Sequence, residues 1–246
     1  MKIKFTSLMA ALFCMGVTTA MAQTASEIID QHLNALGGKE KLRTLKSLYM
    51  EGTSVLQNGA EITQKIWKVD GKLMRQEIES AMFNMTTVVT DKEGWRKNPR
   101  TGQFEAMPAE AFTQMQSELD CAGPLLDYAQ KGHQAELLGK EDVDGVPCWK
   151  VKLTLKSGRE ITYFIDATTH YIVRTAGPGG WGGGGGGGRG GNREAITDFA
   201  DYRKNEDGFV FPYKVTIVGG MGGSLFYETI RANQPVDAKA YQPKDL

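Results

Sequence analysis

The residue types that carry acid–base, metal or nucleophilic chemistry are scattered along this sequence. Its three histidines, His32, His133 and His170, lie far apart, and none has a second histidine or a cysteine at a metal-ligand spacing. Cys121 with His133 could form a nucleophile and its base, but no surrounding motif supports that pairing. The sequence therefore offers no positive case for an enzyme, and it predicts no metal and no cofactor.

An acidic cluster is a further candidate for ion binding. Glu141, Asp142 and Asp144 lie beside Gly145, and a calcium site is one interpretation of them. The Asp-x-Asp-x-Asp-Gly pattern of calcium-binding loops is absent, which favours a solvated turn instead.

The first residues have the composition of an export signal. Two lysines precede an apolar run at 8–17, and Ala20-Met21-Ala22 supplies a small-x-small cleavage site. The apolar run is shorter than the roughly 18 residues that a membrane-spanning helix needs. We therefore expect 1–22 to be a cleavable secretory signal peptide and 23–246 to be a single exported β-domain.

The charge balance argues against nucleic acid as a partner. The chain carries 29 basic and 29 acidic residues, and the loss of two lysines with the signal leaves it slightly acidic. Residues 177–191 are mostly glycine and contain one Arg-Gly-Gly triplet, a composition also found in RNA-binding segments. A single triplet in an exported chain favours a flexible loop between two strands.

Two cysteines, Cys121 and Cys148, remain after removal of the signal. An oxidising compartment permits a disulfide between them. The alternative is a pair of free thiols buried as small apolar side chains. Sequence spacing does not decide between the two, because a bridge depends on the geometry of the two Cβ atoms.

The most regular pattern in the chain is the period-two alternation of residues 149–156. It would place Trp149, Val151, Leu153 and Leu155 on one face of a strand, and three lysines and a threonine on the other. Such alternation is typical of an antiparallel sheet with one apolar face and one solvated face.

Similar runs, separated by Asn-Gly, Asp-Gly and other short turns, extend along most of the chain. Consecutive strands joined by short turns must pair antiparallel. The sequence predicts a mainly β protein, a curved and unclosed antiparallel barrel of about eleven strands. The predicted strands are 48–56, 62–69, 73–79, 83–90, 134–140, 148–156, 160–166, 171–174, 195–204, 209–218 and 225–232.

Two helical segments accompany the predicted sheet. Thr24 and Glu27 can form a capping box at the start of an amphipathic N-terminal helix. His32 lies on that helix, where a solvated position is the usual outcome. Residues 107–132 form a helical insertion that must pack on one sheet face or over one end of it, as a lid.

Methionine and aromatic residues are frequent in the first half of the predicted sheet and in the insertion. Methionine suits adaptable apolar surfaces, and a barrel of this size is too wide for its own side chains to fill tightly. These residues are either ordinary core or the wall of an apolar cavity. The candidate ligand-binding residues are Met50, Trp67, Met74, Met85, Trp95, Met115, Leu119, Leu125, Leu126, Tyr128, Leu153 and Tyr163.

Four stretches, taken in order, resemble the outer-membrane lipoprotein-sorting proteins of the LolA/LolB-like superfamily. They are 27–53, 123–128 (Gly-Pro-Leu-Leu-Asp-Tyr), 136–174 and 198–217, and together they cover most of the chain after the signal. The resemblance implies a half-open barrel of about eleven antiparallel strands with helices over its mouth. It also implies an apolar cavity for acyl chains, and no cofactor.

These observations lead to one functional expectation and one alternative. We expect a monomeric, non-enzymatic periplasmic carrier for lipid or lipoprotein acyl chains. Its partners would be membrane-associated donor or acceptor proteins, and it could associate with the outer membrane. The alternative is a periplasmic protein-interaction module with a filled core and no small-molecule ligand.

Overall fold

The architecture is a single curved antiparallel sheet with short helices against its concave side. The predicted signal peptide and nearly all of the glycine-rich loop lie outside the part of the chain that the structure describes. The computed structural model describes residues 23–55, 59–81, 83–178, 194–218 and 223–246.

Thirteen strands form this sheet over the described residues, in the order β6-β5-β4-β3-β2-β1-β13-β12-β11-β10-β9-β8-β7. β6 and β7 lie at the two edges and do not pair, so the sheet curves without closing into a barrel. The strands are β1 Ser47–Val55, β2 Glu61–Val69, β3 Leu73–Ser80, β4 Asn84–Thr90, β5 Gly94–Lys97, β6 Phe104–Ala106, β7 Gln134–Val143, β8 Val146–Thr154, β9 Glu160–Asp166, β10 Ile172–Pro178, β11 Glu194–Lys204, β12 Val210–Val218 and β13 Ser224–Ala232. The helices are α1 Ala25–Ala35, α2 Lys39–Arg43 and α3 Ala109–Met115, with 3-10 helices at Gln116–Leu119 and Ala238–Tyr241.

The predicted fold class, an unclosed antiparallel sheet, is confirmed, but the strand count is higher than expected. The two additional strands are β5 and β6, which have four and three residues. They are too short for an alternating pattern to be visible in the sequence, and turn residues flank both of them. They extend the sheet edge beside β4.

The alternation in residues 149–156 corresponds to a two-sided strand, as predicted. Val151 and Leu153 have no exposed surface and belong to the main core. On the opposite face, Lys150 pairs with Glu141 and Lys152 with Glu136 of the neighbouring strand β7. The apolar side is therefore the concave side of the sheet.

Helix α1 begins with the predicted capping box. The Thr24 hydroxyl accepts from the Glu27 N–H, and the Glu27 carboxylate accepts from the Thr24 N–H. The buried face of α1 includes Ile28, Leu33 and His32. The solvated position expected for His32 is wrong: the helix lies deep against the sheet, so its polar histidine is enclosed with the apolar residues.

The insertion between β6 and β7 is helical only in its first half. It forms α3 and a 3-10 helix, and from residue 120 to 133 it continues in turns, where the sequence predicted helix up to residue 132. Met107, Phe112 and Met115 pack on Met74 and Val89, so the helical half covers the concave face of β3 and β4.

The chain end covers part of the opposite, convex face. Ala240 and Tyr241 pack with Leu73, Val88 and Trp95 of β3 to β5. A second small convex cluster includes Cys148 and Phe164. The sheet is therefore covered on its concave side by α1, α2 and the insertion, and on one convex region by the C-terminal segment.

Candidate ligand-binding cavity

An apolar cavity lies between α1, the second half of the insertion and the concave face of β9 to β12. The centre of a water-sized sphere can occupy a volume of about 180 Å³ inside it. One water needs only about 10–15 Å³ by that measure, so the cavity can accept a molecule much larger than water.

The wall of this cavity is largely aliphatic and aromatic. The helical side supplies leucines from α1, α2 and the chain that leads into β1, and the sheet side supplies aromatic and branched residues. The apolar lining includes Leu33, Leu36, Leu42, Leu45, Leu48, Leu125, Ile161, Ile172, Phe199 and Phe211. A chain of methylene groups would be desolvated on all sides by such a wall.

A buried histidine attaches α1 to the sheet at the cavity wall. The Nδ1 of His32 lies 2.8 Å from the carbonyl oxygen of His170, in the turn between β9 and β10. A carbonyl only accepts hydrogen bonds, so Nδ1 carries the proton in the neutral ring. Burial lowers the pKa of His32 to about 4. The ring is therefore neutral at neutral pH.

Ionic contacts hold α2 and the insertion around the cavity. Lys41 Nζ donates to the Gly208 carbonyl in the β11–β12 turn. Arg43 donates to both carboxylate oxygens of Asp127, at 2.9 Å from Nε and 2.7 Å from Nη2. This bidentate pair joins α2 directly to the second half of the insertion.

The segment that follows the 3-10 helix is fixed by hydrogen bonds at both ends. The Cys121 N–H donates to Asp70 Oδ1 at 3.2 Å, in the β2–β3 turn. Lys131 Nζ lies 2.5 Å from an oxygen of Asp120 and donates to the Gly123 carbonyl at 3.1 Å. Residues 120–125 therefore form a fixed part of the cavity wall.

Besides Asp120, two charged side chains of the wall, Arg159 and Glu118, lie close to each other. Arg159, in the β8–β9 turn, has its Nη1 atom 3.7 Å from Glu118 Oε1 and 3.4 Å from the Ser117 hydroxyl. On the far side of the same carboxylate, Lys68 Nζ of β2 lies 3.8 Å from Glu118 Oε2. Arg159, Glu118 and Ser117 line the cavity directly.

The predicted ligand-binding residues are distributed over several sites. Leu125 and Tyr163 line the cavity. Met50, Leu126 and Leu153 belong to the main core, and Tyr128 packs against it. The cluster beneath the insertion contains Met74, Leu119 and Met115, while Met85 is half-buried on the same sheet face as Met74.

The two tryptophans among the predicted residues lie on the convex face. The Trp67 ring lies against Tyr49 in a tilted arrangement, with ring centroids 5.3 Å apart, and Trp95 packs with Leu73 in the cluster beneath the C-terminal segment. A side chain changes face with each residue along a strand, so hydrophobicity alone could not assign these two. The structure does not bring them to the concave face, and a role for the other ten in binding stays a prediction.

The residues that the sequence reasoning missed come from the helices and from the second half of the sheet. Leu33 and Leu36 lie on the amphipathic helix that the sequence predicts, but its pattern does not show that they line a cavity. Phe199 and Phe211 belong to alternating runs in β11 and β12, and the same alternation that assigned β8 could have placed them on the apolar face.

Both cysteines are free, so the disulfide considered from the sequence is not formed. Cys121 lines the cavity, whereas Cys148 lies in the convex cluster with Phe164, and the sheet separates the two. Burial raises the pKa of the Cys121 thiol to about 12 and that of Cys148 to about 11. His133, the base considered for Cys121, instead accepts from the Lys156 N–H through Nδ1 at 3.0 Å.

The acidic turn between β7 and β8 is occupied by protein contacts. Asp142 Oδ1 accepts from the Gly145 N–H at 2.7 Å, while Glu141 and Asp144 pair with Lys150 and Arg174. Among the described residues, no group of three or more histidine, cysteine or acidic side chains is placed to hold a metal ion. Within the same ranges, no helix is long and apolar enough to cross a bilayer.

Solved structures with a similar fold include a protein of the LolA superfamily. A DUF1329 family protein from Desulfovibrio piger has a TM-score of 0.56 at 14% identity, with coverage of 89% of this chain and 97% of that one. A LolA superfamily protein from Nitrosomonas europaea has a TM-score of 0.55 at 12% identity, with 90% and 98% covered. A domain from Vibrio parahaemolyticus, described as an outer membrane lipoprotein-sorting protein, has a TM-score of 0.50 at 12% identity, with 88% and 95% covered.

At these identities the likeness establishes the fold alone. It agrees with the resemblance to the LolA/LolB-like superfamily found in the sequence. No family model matches the chain, and no curated protein matches it.

Proposed function

We propose that this protein is a non-enzymatic carrier that holds an acyl chain of a lipid or lipoprotein in the cavity between α1 and β9 to β12. The observation that carries the proposal is the cavity itself, with its largely apolar wall. Transfer of an acyl chain from water contributes about 0.8 kcal/mol per methylene, so apolar contact alone can retain such a ligand.

The fold and the start of the sequence support this role. Proteins of the same fold include one described as an outer membrane lipoprotein-sorting protein. The signal-like residues 1–22 fit a protein exported to the periplasm, where a monomeric carrier would receive its cargo from one membrane-associated protein and deliver it to another. A protein-interaction module with a filled core would leave no such cavity beneath its helices.

A substitution that fills the cavity tests the proposal without removing core contacts. Ala195 lines the cavity from β11, and Ala200 of the same strand is exposed. Ala195→Trp would place a large side chain in the space for the ligand, whereas Ala200→Trp adds the same side chain to the outside.

Native mass spectrometry of the delipidated chain, after incubation with a diacyl phospholipid and with a fatty acid, measures the retained ligand directly. We expect the wild type and Ala200→Trp to retain a lipid and Ala195→Trp to lose it, with thermal midpoints confirming that both variants fold. Absence of any retained lipid on the wild type would favour the interaction module and overturn the proposal.

A further inference from the structure

Two threonines lie side by side in the sheet that forms the floor of the cavity. Thr175 of β10 and Thr197 of β11 are directly opposite each other across the two strands. Thr175 lines the cavity and is buried. Thr197 has no exposed surface and lies between Ala195 and Phe199, two cavity-lining residues on the same face of β11. The pair therefore lies in the middle of the sheet side of the cavity.

The hydroxyl of Thr197 is a buried polar group that the protein leaves unpaired. Within the part of the chain that the structure describes, its Oγ1 atom has no hydrogen-bond partner. Opposed threonines on neighbouring strands can hydrogen-bond to each other, but Thr197 does not use Thr175 in this way. An unpaired buried hydroxyl costs free energy that a valine at the same position would not. A polar atom of a bound molecule would remove that cost.

A third hydroxyl follows on the next strand. Tyr163 of β9 lies directly opposite Thr175 and lines the cavity. Burial raises the pKa of Tyr163, so its phenol stays protonated and can donate. The same row of side chains ends in Val151 of β8 on one side and Ile217 of β12 on the other. The floor of the apolar cavity is thus crossed by a short row of neutral hydroxyl donors.

We propose that the ligand is a neutral acyl ester or amide, and that Thr175 and Thr197 bind its carbonyl oxygen inside the cavity. The inference rests on the proposed function, since the apolar chain of the same molecule would fill the remaining space. A carbonyl oxygen has two lone pairs and can accept from two hydroxyls at once. Tyr163 is a further donor beside this pair.

The neutral charge of the ligand follows from the chemistry of the row. Hydroxyls donate hydrogen bonds but carry no charge, so they compensate the desolvation of a carbonyl and not that of an ionised carboxylate. A plain hydrocarbon would leave the Thr197 hydroxyl unpaired. The row therefore favours an ester or amide over both a free fatty acid anion and an alkane.

Three probes separate these ligand classes. Methyl decanoate, tridecane (an alkane with the same number of non-hydrogen atoms) and decanoate are compared by displacement of the neutral fluorophore N-phenyl-1-naphthylamine at neutral pH. We expect the wild type to bind methyl decanoate more tightly than decanoate. The alkane measures the contribution of apolar contact alone.

Three threonine-to-valine variants assign the recognition to the row. Thr175→Val and Thr197→Val should each weaken methyl decanoate by about fivefold, the size of one neutral hydrogen bond, and should not weaken tridecane. Thr87 is the matched control, because it is buried on the concave face of β4, two residues from Val89 of the cluster beneath α3, and is not part of the cavity wall. Thr87→Val should bind both probes as the wild type does.

Thermal midpoints of the ligand-free proteins give a second readout. Because Thr197→Val removes an unpaired buried hydroxyl, it should raise the midpoint even though it weakens binding of the ester. A residue that only supports the fold would not combine these two effects. A lower midpoint in Thr197→Val would mean that the hydroxyl is already paired in the ligand-free protein, and it would overturn the inference.

Two binding results would also overturn the inference while leaving the proposed function intact. One is an affinity for methyl decanoate that falls no more than that for tridecane in both folded variants of the row. The other is tighter binding of decanoate than of its methyl ester by the wild type, which would indicate recognition of an anionic head group. Failure of all three probes to displace the fluorophore from the wild type would instead overturn the proposed function together with the inference.

Discussion

Arg75 donates through both Nε and Nη2 to a single oxygen of Glu77, Oε1, at 2.7 and 2.5 Å on the convex side of β3. The Arg75 side chain is fully buried. Its Nη1 donates to the Gln242 carbonyl at 3.0 Å and its Nη2 to the Lys244 carbonyl at 2.7 Å. The ion pair thus fastens the last residues of the chain over the sheet.

Removal of the carboxylate of this pair should be strongly destabilising. Glu77→Ala leaves a buried guanidinium without its counter-charge, at an expected cost of about 3–5 kcal/mol in the free energy of unfolding. Glu79→Ala is the matched control, since Glu79 lies on the same face of β3 but is half exposed and lies 4.0 Å from Lys65. Its loss should cost less than about 1 kcal/mol. Urea unfolding measures both, and similar losses in the two variants would contradict the prediction.

The stability of the fold should fall at acidic pH because of His32. Its pKa is about 4 in the folded protein against 6.5 for the unperturbed side chain, so between these values the unfolded chain binds more protons. Stability from this residue is complete above pH 6.5 and decreases as the pH falls, by about 2 kcal/mol at pH 5. His32→Gln can still donate to the His170 carbonyl but does not titrate. Urea unfolding at pH 7 and pH 5 should show a smaller loss in this variant, and equal losses would refute the assignment.

Leu126 should behave as a core residue, whereas Leu138 should not. Leu126 is almost fully buried in the main core, so Leu126→Asp removes its contacts and buries an unpaired carboxylate. We expect a loss of about 4 kcal/mol or more, at the upper end of the 2–5 kcal/mol range of leucine truncations. Leu138 is 45% exposed, so Leu138→Asp should change stability by about 0.5 kcal/mol or less. Equal thermal midpoints of the two variants would place Leu126 outside the core.

Both thiols should be reduced and slow to react in the native protein. Because burial raises the pKa of Cys121 to about 12 and of Cys148 to about 11, almost no thiolate is present at pH 8. Mass spectrometry after alkylation in denaturant, without reductant, should find two labels on residues 23–246. No label at all would reveal a bridge. A bound fatty acid should further slow the native labelling of Cys121, which lines the cavity, and leave that of Cys148 unchanged.

Much of the sheet could be predicted because its strands are long and each has one apolar face and one polar face. Val151 and Leu153 alternate with lysines that find acidic partners on β7, and the hairpin turns between such strands allow only antiparallel neighbours. The short strands β5 and β6 were not predicted, since three or four residues do not establish a period. The turns that the chain forms after residue 120 were also not predicted, because they depend on side-chain contacts such as that of Asp127 with Arg43.

The candidate site was predicted less well than the fold. Composition pointed to the methionine-rich first half, where most of the apolar residues fill the core and the space beneath α3. The cavity lies instead against β9 to β12, and its location depends on where α1 settles on the sheet. That position is set by long-range contacts such as His32 with His170, which no local pattern in the sequence contains.

The pairing of β1 with β13 has a consequence for the order in which the molecule can assemble. Every other pair of neighbouring strands is consecutive in the sequence, whereas this seam joins Leu48 to Ala232 and Met50 to Ile230 in the middle of the sheet. Each half is a local meander that can form early, but closing the seam carries the largest loop-closure entropy. During synthesis, which begins at the N-terminus, Met50 of β1 therefore has no partner strand on this side until β13 has been made. The core around this seam closes only after that strand is available.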